Sequence, residues 1–143
     1  MKAIAKAMHT FASSFTLPAY TVESVPDNVS VPYLTYPLKE PEWNQKTSWY
    51  IQGWYRTTSN AELTAKADEI IERIGVGITV PTDGGYLVIY PETPLVQLNV
   101  DGDYRSFYIN LSINSYQMPG YYPATPVTQE TPGADPEEGE NNS

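Results

Sequence analysis

Apolar side chains recur along this chain with two different periods, and the switches between them outline a fold. In residues 2–15, Ile4, Ala7, Met8 and Phe11 fall about one helical turn apart, with Lys2 and Lys6 on another side. That spacing predicts a short amphipathic helix ending near Pro18. Covering one face of a sheet is its expected role, ahead of docking to a partner. The helical period is clearest at residues 59–75, where Leu63, Ala67, Ile70 and Ile74 form an apolar stripe. Ser59 and Glu62 have the spacing of a capping box, with Ser59 as N-cap. Gly75 or Gly77 supplies the stop. Glu62–Lys66 and Glu69–Arg73 sit four apart, the spacing of weakly stabilising ion pairs.

Elsewhere the period is two. Residues 47–57 place Trp49, Ile51, Gly53 and Tyr55 on one face of a strand and Tyr50, Gln52, Trp54 and Arg56 on the other. Gly53 marks a bulge or a close backbone approach. Residues 104–114 alternate Phe107, Ile109, Leu111 and Ile113 with Ser106, Tyr108, Asn110, Ser112 and Asn114. Residues 78–81, 86–90 and 95–100 read as shorter strands. Asp83-Gly84-Gly85 and a segment bounded by Pro91 and Pro94 read as the turns between them, and Asp101-Gly102 as a two-residue hairpin with a type I′ preference. Pro32 and Pro37 demote residues 29–38 to a short edge strand or one interrupted by bulges. The expected order is α-β-β-α-β-β-β. The expected fold is a two-layer α+β domain, its mostly antiparallel sheet packed by an N-terminal helix and a central helix, with the last three strands forming a meander.

The domain is expected to span residues 1–118. Residues 119–143 hold five prolines, five acidic residues and no Lys or Arg, without apolar periodicity. They read as a disordered acidic tail that buries too little surface to offset its ordering entropy. The tail carries five of the net nine negative charges, which leaves the body at about −4. The eight basic residues are scattered from Lys2 to Arg105 and make no cluster, so nucleic acid is an unexpected direct partner. The N-terminus lacks the apolar core of a signal peptide, and no stretch approaches a membrane span. A cytoplasmic product with no membrane partner is expected.

Little in the chain suggests chemistry. There is no cysteine, hence no disulfide or thiolate site. His9 is the only histidine, with no metal-ligand motif or serine elbow to accompany it. Gly75-Val76-Gly77 follows a helix instead of opening one, unlike a dinucleotide fingerprint. Asp101-Gly102-Asp103 lacks the remaining ligands of a calcium loop. No catalytic residue, metal or cofactor is expected. The unusual feature is the aromatic load, with 12 Tyr against 3 Phe. Tyr33, Tyr36, Trp43, Tyr50, Trp54, Tyr108, Tyr116, Tyr121 and Tyr122 fall on the presumed outer face or in loops. Tyr and Trp combine apolar area with a polar handle, and interfaces favour them. A covering layer of the chain itself is the competing reading, and a platform for sugars is a third.

The block YLTYPLKEPEWNQKTSWYIQGWYRTTSNAELTAKADEIIERIG, with the later GGYLVIYPETPLVQ, resembles small neck proteins of long-tailed bacteriophages, most closely the tail terminator or head–tail joining group. The resemblance covers roughly residues 20–116 and lies in element order, length, the aromatic strand before the helix and the turn-rich meander after it. It implies a compact α+β subunit of a ring, typically of six copies, on the end of the tail tube. Such a ring stops tube polymerisation and docks the head connector, without catalytic residues or cofactor. The implied partners are copies of this chain, the tail tube protein and a head-completion or connector protein, with DNA only passing through. An acidic lining would keep that DNA from sticking. The expected contact residues are Trp49, Tyr50, Trp54, Tyr55, Arg56, Pro81, Asp83, Tyr90 and Pro91. Another neck or tail subunit, or a monomeric carbohydrate- or peptide-binding module, is the alternative.

Overall fold

A computed structural model of the chain describes residues 2–41 and 45–117. The predicted tail, Trp43, Tyr121 and Tyr122 lie outside the described residues. In chain order the elements are α1 (Lys2–Ser13), β1 (Ala19–Thr21), a single 3-10 turn (Val22–Ser24), β2 (Tyr33–Tyr36), β3 (Thr47–Arg56), α2 (Ala61–Ile74), β4 (Ile78–Thr82), β5 (Gly85–Asp101) and β6 (Tyr104–Gln117). The strands form one mixed six-stranded sheet in the order β1-β2-β3-β6-β5-β4. Neighbours are antiparallel except β1 and β2, which run parallel.

The alternation in β3 and β6 works as expected. Trp49, Ile51 and Tyr55 meet Phe107, Ile109, Leu111 and Ile113 on one buried face. Both helices pack on that face. Ile4, Ala7, Met8 and Phe11 of α1 are buried, and the Phe11 ring lies 6.4 Å from the ring of Trp49. Leu63, Ala67, Ile70 and Ile74 of α2 are buried as the stripe predicted. α1 touches β1 and β2 at one edge of the sheet and β4 at the other. The sheet therefore curls around α1, as the right-handed twist of strands allows. The helix-bearing face is the concave one.

Several expectations need correction. An additional strand, β1, precedes the predicted edge strand and pairs with it in parallel, so the order is α-β-β-β-α-β-β-β. Three residues carry too short a pattern to announce a strand. The segment between Pro91 and Pro94 is no turn. Residues 85–101 are one strand, interrupted only by a register shift between Pro91 and Val96 against continuous β6. Pro91, still paired with Leu111, borders the bulge and Pro94 lies within it, where a missing N–H costs no ladder bond. The hairpin loop is Gly102-Asp103, flanked by the pair Asp101 and Tyr104. Gly102 has φ +65 and Asp103 does not share the positive φ, which is the type II′ arrangement in place of I′.

The start of α2 also differs. Its N-cap is Asn60, whose side chain makes no capping bond, while the Ser59 hydroxyl accepts from the N–H of Ala61 at 3.1 Å. Gly75 ends the helix at φ +58, its N–H donating to the Ile71 carbonyl at 2.8 Å, as expected of a C-cap. In place of the expected ion pairs four apart, Lys66 pairs three residues on, and both cations reach the segment that follows α1. Lys66 pairs with Glu69 and donates to the Phe15 carbonyl, each at 2.8 Å. Arg73 donates to the Ser14 hydroxyl at 3.1 Å.

Candidate functional site

Because β3 and β6 bury one set of alternate residues under the helices, the other set emerges on the convex face. Trp54, Tyr50, Tyr108, Tyr104 and Tyr116 project there. Tyr33 and Tyr20 join them from β2 and β1, and Tyr86 and Tyr90 from β5. Cross-strand register brings these rings into contact. Tyr50 and Tyr108 stack with centroids 4.5 Å apart, Tyr86 and Tyr116 at 5.1 Å, and Tyr33 and Trp54 at 6.4 Å. Tyr20 meets Tyr33 edge-on at 5.9 Å. Small polar residues lie beneath the rings. Thr35, Ser106 and Ser112 are buried by this layer, although they sit on the face opposite the helices.

Several polar handles in the layer are engaged. The Trp54 indole Nε1 donates to Thr35 Oγ1 at 3.0 Å. The Tyr90 hydroxyl donates to Asn114 Oδ1, and Asn114 Nδ2 donates to the Tyr116 hydroxyl, both at 3.0 Å. Gln52 reaches Ser106 at 3.4 Å. Burial pushes the phenols of Tyr33 and Tyr108 up, with the neighbouring phenols Tyr104 and Tyr20, and Tyr50, adding to it. These groups are neutral donors throughout the physiological range.

Charge enters the face at two places. Lys46 forms an ion pair with Glu92 and lies 5.7 Å from the centroid of Tyr90, and Ser112 donates to Glu92 at 2.6 Å. The hydrogen bonds from Lys46 and then Ser112 hold the Glu92 carboxyl below its ordinary value. At the far end Arg56 pairs with Asp103 at 2.9 Å and covers the ring of Tyr104 at 5.2 Å. Its hydrogen bond holds the Asp103 carboxyl down. A shallow groove of about 510 Å³ runs between the Tyr50–Tyr108 pair and Lys46, Glu92, Asn110 and Ser112. Aromatic faces, neutral phenols, amides and two internal ion pairs offer contact area with hydrogen-bonding handles. Among the described residues, no three His, Asp or Glu side chains gather as a metal site. No helix is long and apolar enough to cross a membrane.

The expected contact residues divide among four places. Tyr50, Trp54, Arg56 and Tyr90 share the convex face. Trp49 and Tyr55 are core residues, 2% and 5% exposed, and leave the contact set. They alternate with the convex residues along β3, and their faces pack against the helices. Trp49 spends its Nε1 on the Pro37 carbonyl at 2.8 Å. Pro91 lies on the concave side, lining a small space with Ile71, Ile74 and Leu95. Pro81 and Asp83 are exposed at the β4 edge, beside Ala3, Lys6 and Thr10 of α1. Tyr36, expected on the outer face, is buried on the concave one, its ring 5.9 Å from that of Trp49. His9 is exposed and bonds the Tyr36 hydroxyl at 3.2 Å.

Sequence reasoning missed Tyr20, Tyr86 and Tyr104 as members of the layer. Tyr86 and Tyr104 could have been found by continuing the alternation outward to both ends of β5 and β6. Tyr20 could not, since its strand was unseen. The fold and this surface define a mixed α+β domain with both helices on one face and an aromatic layer on the other. No known family profile matches the chain, and no curated protein matches its sequence.

Proposed function

We propose that this chain is a structural subunit of a phage neck. Copies of it would close into a ring, expected to hold six, on the end of the tail tube. The ring would end tube polymerisation and join the tail to a head-completion or connector protein, with DNA passing through. The observation that carries the reading is the convex aromatic layer, which no element among the described residues covers. Patches of Tyr and Trp with hydrogen-bonding handles are what contact surfaces are enriched in. The resemblance of residues 20–116 to neck proteins supplies the kind of partner. A ring contact is heterologous and needs two different surfaces on each copy. The convex layer and the β4 edge around Pro81 and Asp83 are two such surfaces.

The test is addition of the purified full chain to tail tubes, followed by light scattering and electron microscopy. Wild-type protein is expected to form a ring, free or at tube ends, and to stop further growth. Trp54→Ala is expected to lose this while keeping its far-UV circular dichroism. Unchanged assembly by a folded Trp54→Ala chain would remove the convex layer as the contact. Wild-type protein that neither closes into a ring nor binds tubes would sink the neck reading itself.

A further inference from the structure

On one side the sheet ends at β4, but β4 pairs only with residues 85–89 of β5. From the bulge to Asp101, β5 is itself the edge strand. Its outward backbone groups can be identified. The N–H of Thr57 donates to the Asp103 carbonyl at 2.7 Å, so odd-numbered residues of β6 bond toward β3 and even-numbered ones toward β5. The partners of those even residues on β5 are Gln97, Asn99 and Asp101. The N–H and C=O groups of Val96, Leu98 and Val100 therefore face outward. Among the described residues no hydrogen bond reaches them.

The side chains of Leu98 and Val100 are also uncovered, at 41% and 56% exposure. Free edges are usually blunted by charge, proline or a bulge. Here the bulge comes before Val96 and the first charge is Asp101, so the five residues between carry no such device. Their sequence, Val96-Gln97-Leu98-Asn99-Val100, has the same pattern read in either direction about Leu98.

We propose that this edge is a self-association surface. A second copy of the chain pairs with it antiparallel, about a two-fold axis through Leu98, and continues the sheet. In that register Leu98 faces Leu98, Val96 faces Val100 and Gln97 faces Asn99. The residues of the first two pairs all carry outward N–H and C=O groups, so each pair exchanges both bonds. One face gains a Val/Leu row and the other a row of amides able to bond each other. Asp101 falls opposite Leu95, so no carboxylate opposes its own copy. The net charge of −9 on each chain repels at longer range, so added salt strengthens the contact. The pairing is isologous, unlike the heterologous contact of a ring, and neither requires the other.

The chain has no cysteine, so single cysteines report the register. Paired residues of this type have Cα atoms about 5.5 Å apart, inside the disulfide range of about 4.4–6.8 Å. Expected results are concentration-dependent dimers of the wild-type full chain in sedimentation velocity, and a covalent dimer of oxidised Leu98→Cys. Val96→Cys alone should give little, but should link efficiently when mixed with Val100→Cys. Leu98→Pro deletes an outward N–H without touching the ladder to β6, and should leave a folded monomer. The cysteine series decides the matter if that variant fails to fold. A strict monomer without Leu98→Cys linkage overturns the proposal, as does equal linkage at positions 96 and 98. Rings that form while Leu98→Cys stays unlinked overturn this contact and leave the neck reading standing. Register-specific dimers in a chain that never forms rings or binds tubes do the reverse.

Discussion

Phe107 lies across Gly53, its direct partner in the β3–β6 ladder. A Cβ at position 53 would stand 2.2 Å from Cε2 of the ring and 2.3 Å from Cζ. Gly53 interrupts the row of large core side chains because the space above it is already filled by a neighbour's aromatic ring. There is no bulge, since the register runs unbroken through the pair. Phe107 is fully buried and bounded by Tyr55 at 6.3 Å, which leaves the ring little room to retreat. Gly53→Ala is expected to cost about 1–3 kcal/mol, as overpacking of a filled core does. A lower urea midpoint at unchanged m-value would show it. An unchanged midpoint would mean the ring swings aside freely.

The close approach at Gly53 was legible as one of two alternatives, and the reason it was only that is general. Periodicity reports which residues share a face, so the stripe Leu63, Ala67, Ile70, Ile74 and the Phe107–Ile113 row were readable in full. It does not report which partner lies across. Trp49 and Trp54 look alike in the sequence, yet one fills the core and the other paves the surface, because only the helices decide which face is inside. Pro91 and Pro94 carry the local chemistry of a turn. The unbroken pattern of β6 imposed a continuous partner strand, with Pro91 at the border of a bulge and Pro94 absorbed in it. β1 is held by pairing with β2, a contact distant from its own three residues. The aromatic layer was legible as composition, whereas its stacked pairs depend on register.

Tyr55 should reveal its burial by titration. Its phenol is pushed up to about 12, first by burial and then by the nearby carboxylates of Glu62 and Glu69. An unfolded tyrosine ionises near 10. The folded state therefore keeps a proton that the unfolded chain loses in that interval. The associated stability is complete below pH 10 and is lost as pH rises from about 10 toward 12. Carbon-13 NMR of labelled tyrosine is expected to show one resonance, absent in Tyr55→Phe, that titrates at the upper end of this window. Alkaline unfolding of Tyr55→Phe should begin at higher pH than that of the wild type. A Tyr55 resonance titrating near 10 would contradict the packing of its ring between sheet and α2.

Lys66 ties the two helices together. Its ammonium donates to the Phe15 carbonyl and to Glu69, each at 2.8 Å, and reaches Thr16 Oγ1 at 3.3 Å. Thr16 has φ +63, a conformation that a β-branched residue seldom adopts. Arg73, two helical turns on, lies 4.7 Å above the ring of Phe15. Two cations of α2 thus hold the segment that ends α1, where the chain must reverse toward β1. Lys66→Met keeps most of the aliphatic stem and removes the charged donor. The expected loss is about 1.5–3 kcal/mol, the range for a hydrogen bond to a charged group. Faster amide exchange should be confined to the last turn of α1 and residues 14–16. Exchange that quickens uniformly would instead indicate a global loss of stability without a local clamp.

Tyr50 and Tyr108 separate a structural role for the convex layer from a contact role. They are diagonal neighbours across β3 and β6, and their rings stack at 4.5 Å with 21° between planes. A double-mutant cycle with alanine should give a coupling of about 0.5–1.5 kcal/mol in the isolated chain. That coupling exists whether or not a partner ever covers the face, so stability alone cannot distinguish the roles. Assembly can. If the rings serve only to cover Ser106 and Ser112, any loss of assembly in Tyr50→Ala should follow its loss of stability and be restored by a stabilising condition such as an osmolyte. If the rings are the contact, assembly should fail while the monomer remains folded, and no stabiliser should restore it. Tyr50→Phe refines the answer. It keeps the stack and removes only the hydroxyl, so a folded, uncoupled-looking defect in assembly would assign that hydroxyl to a partner.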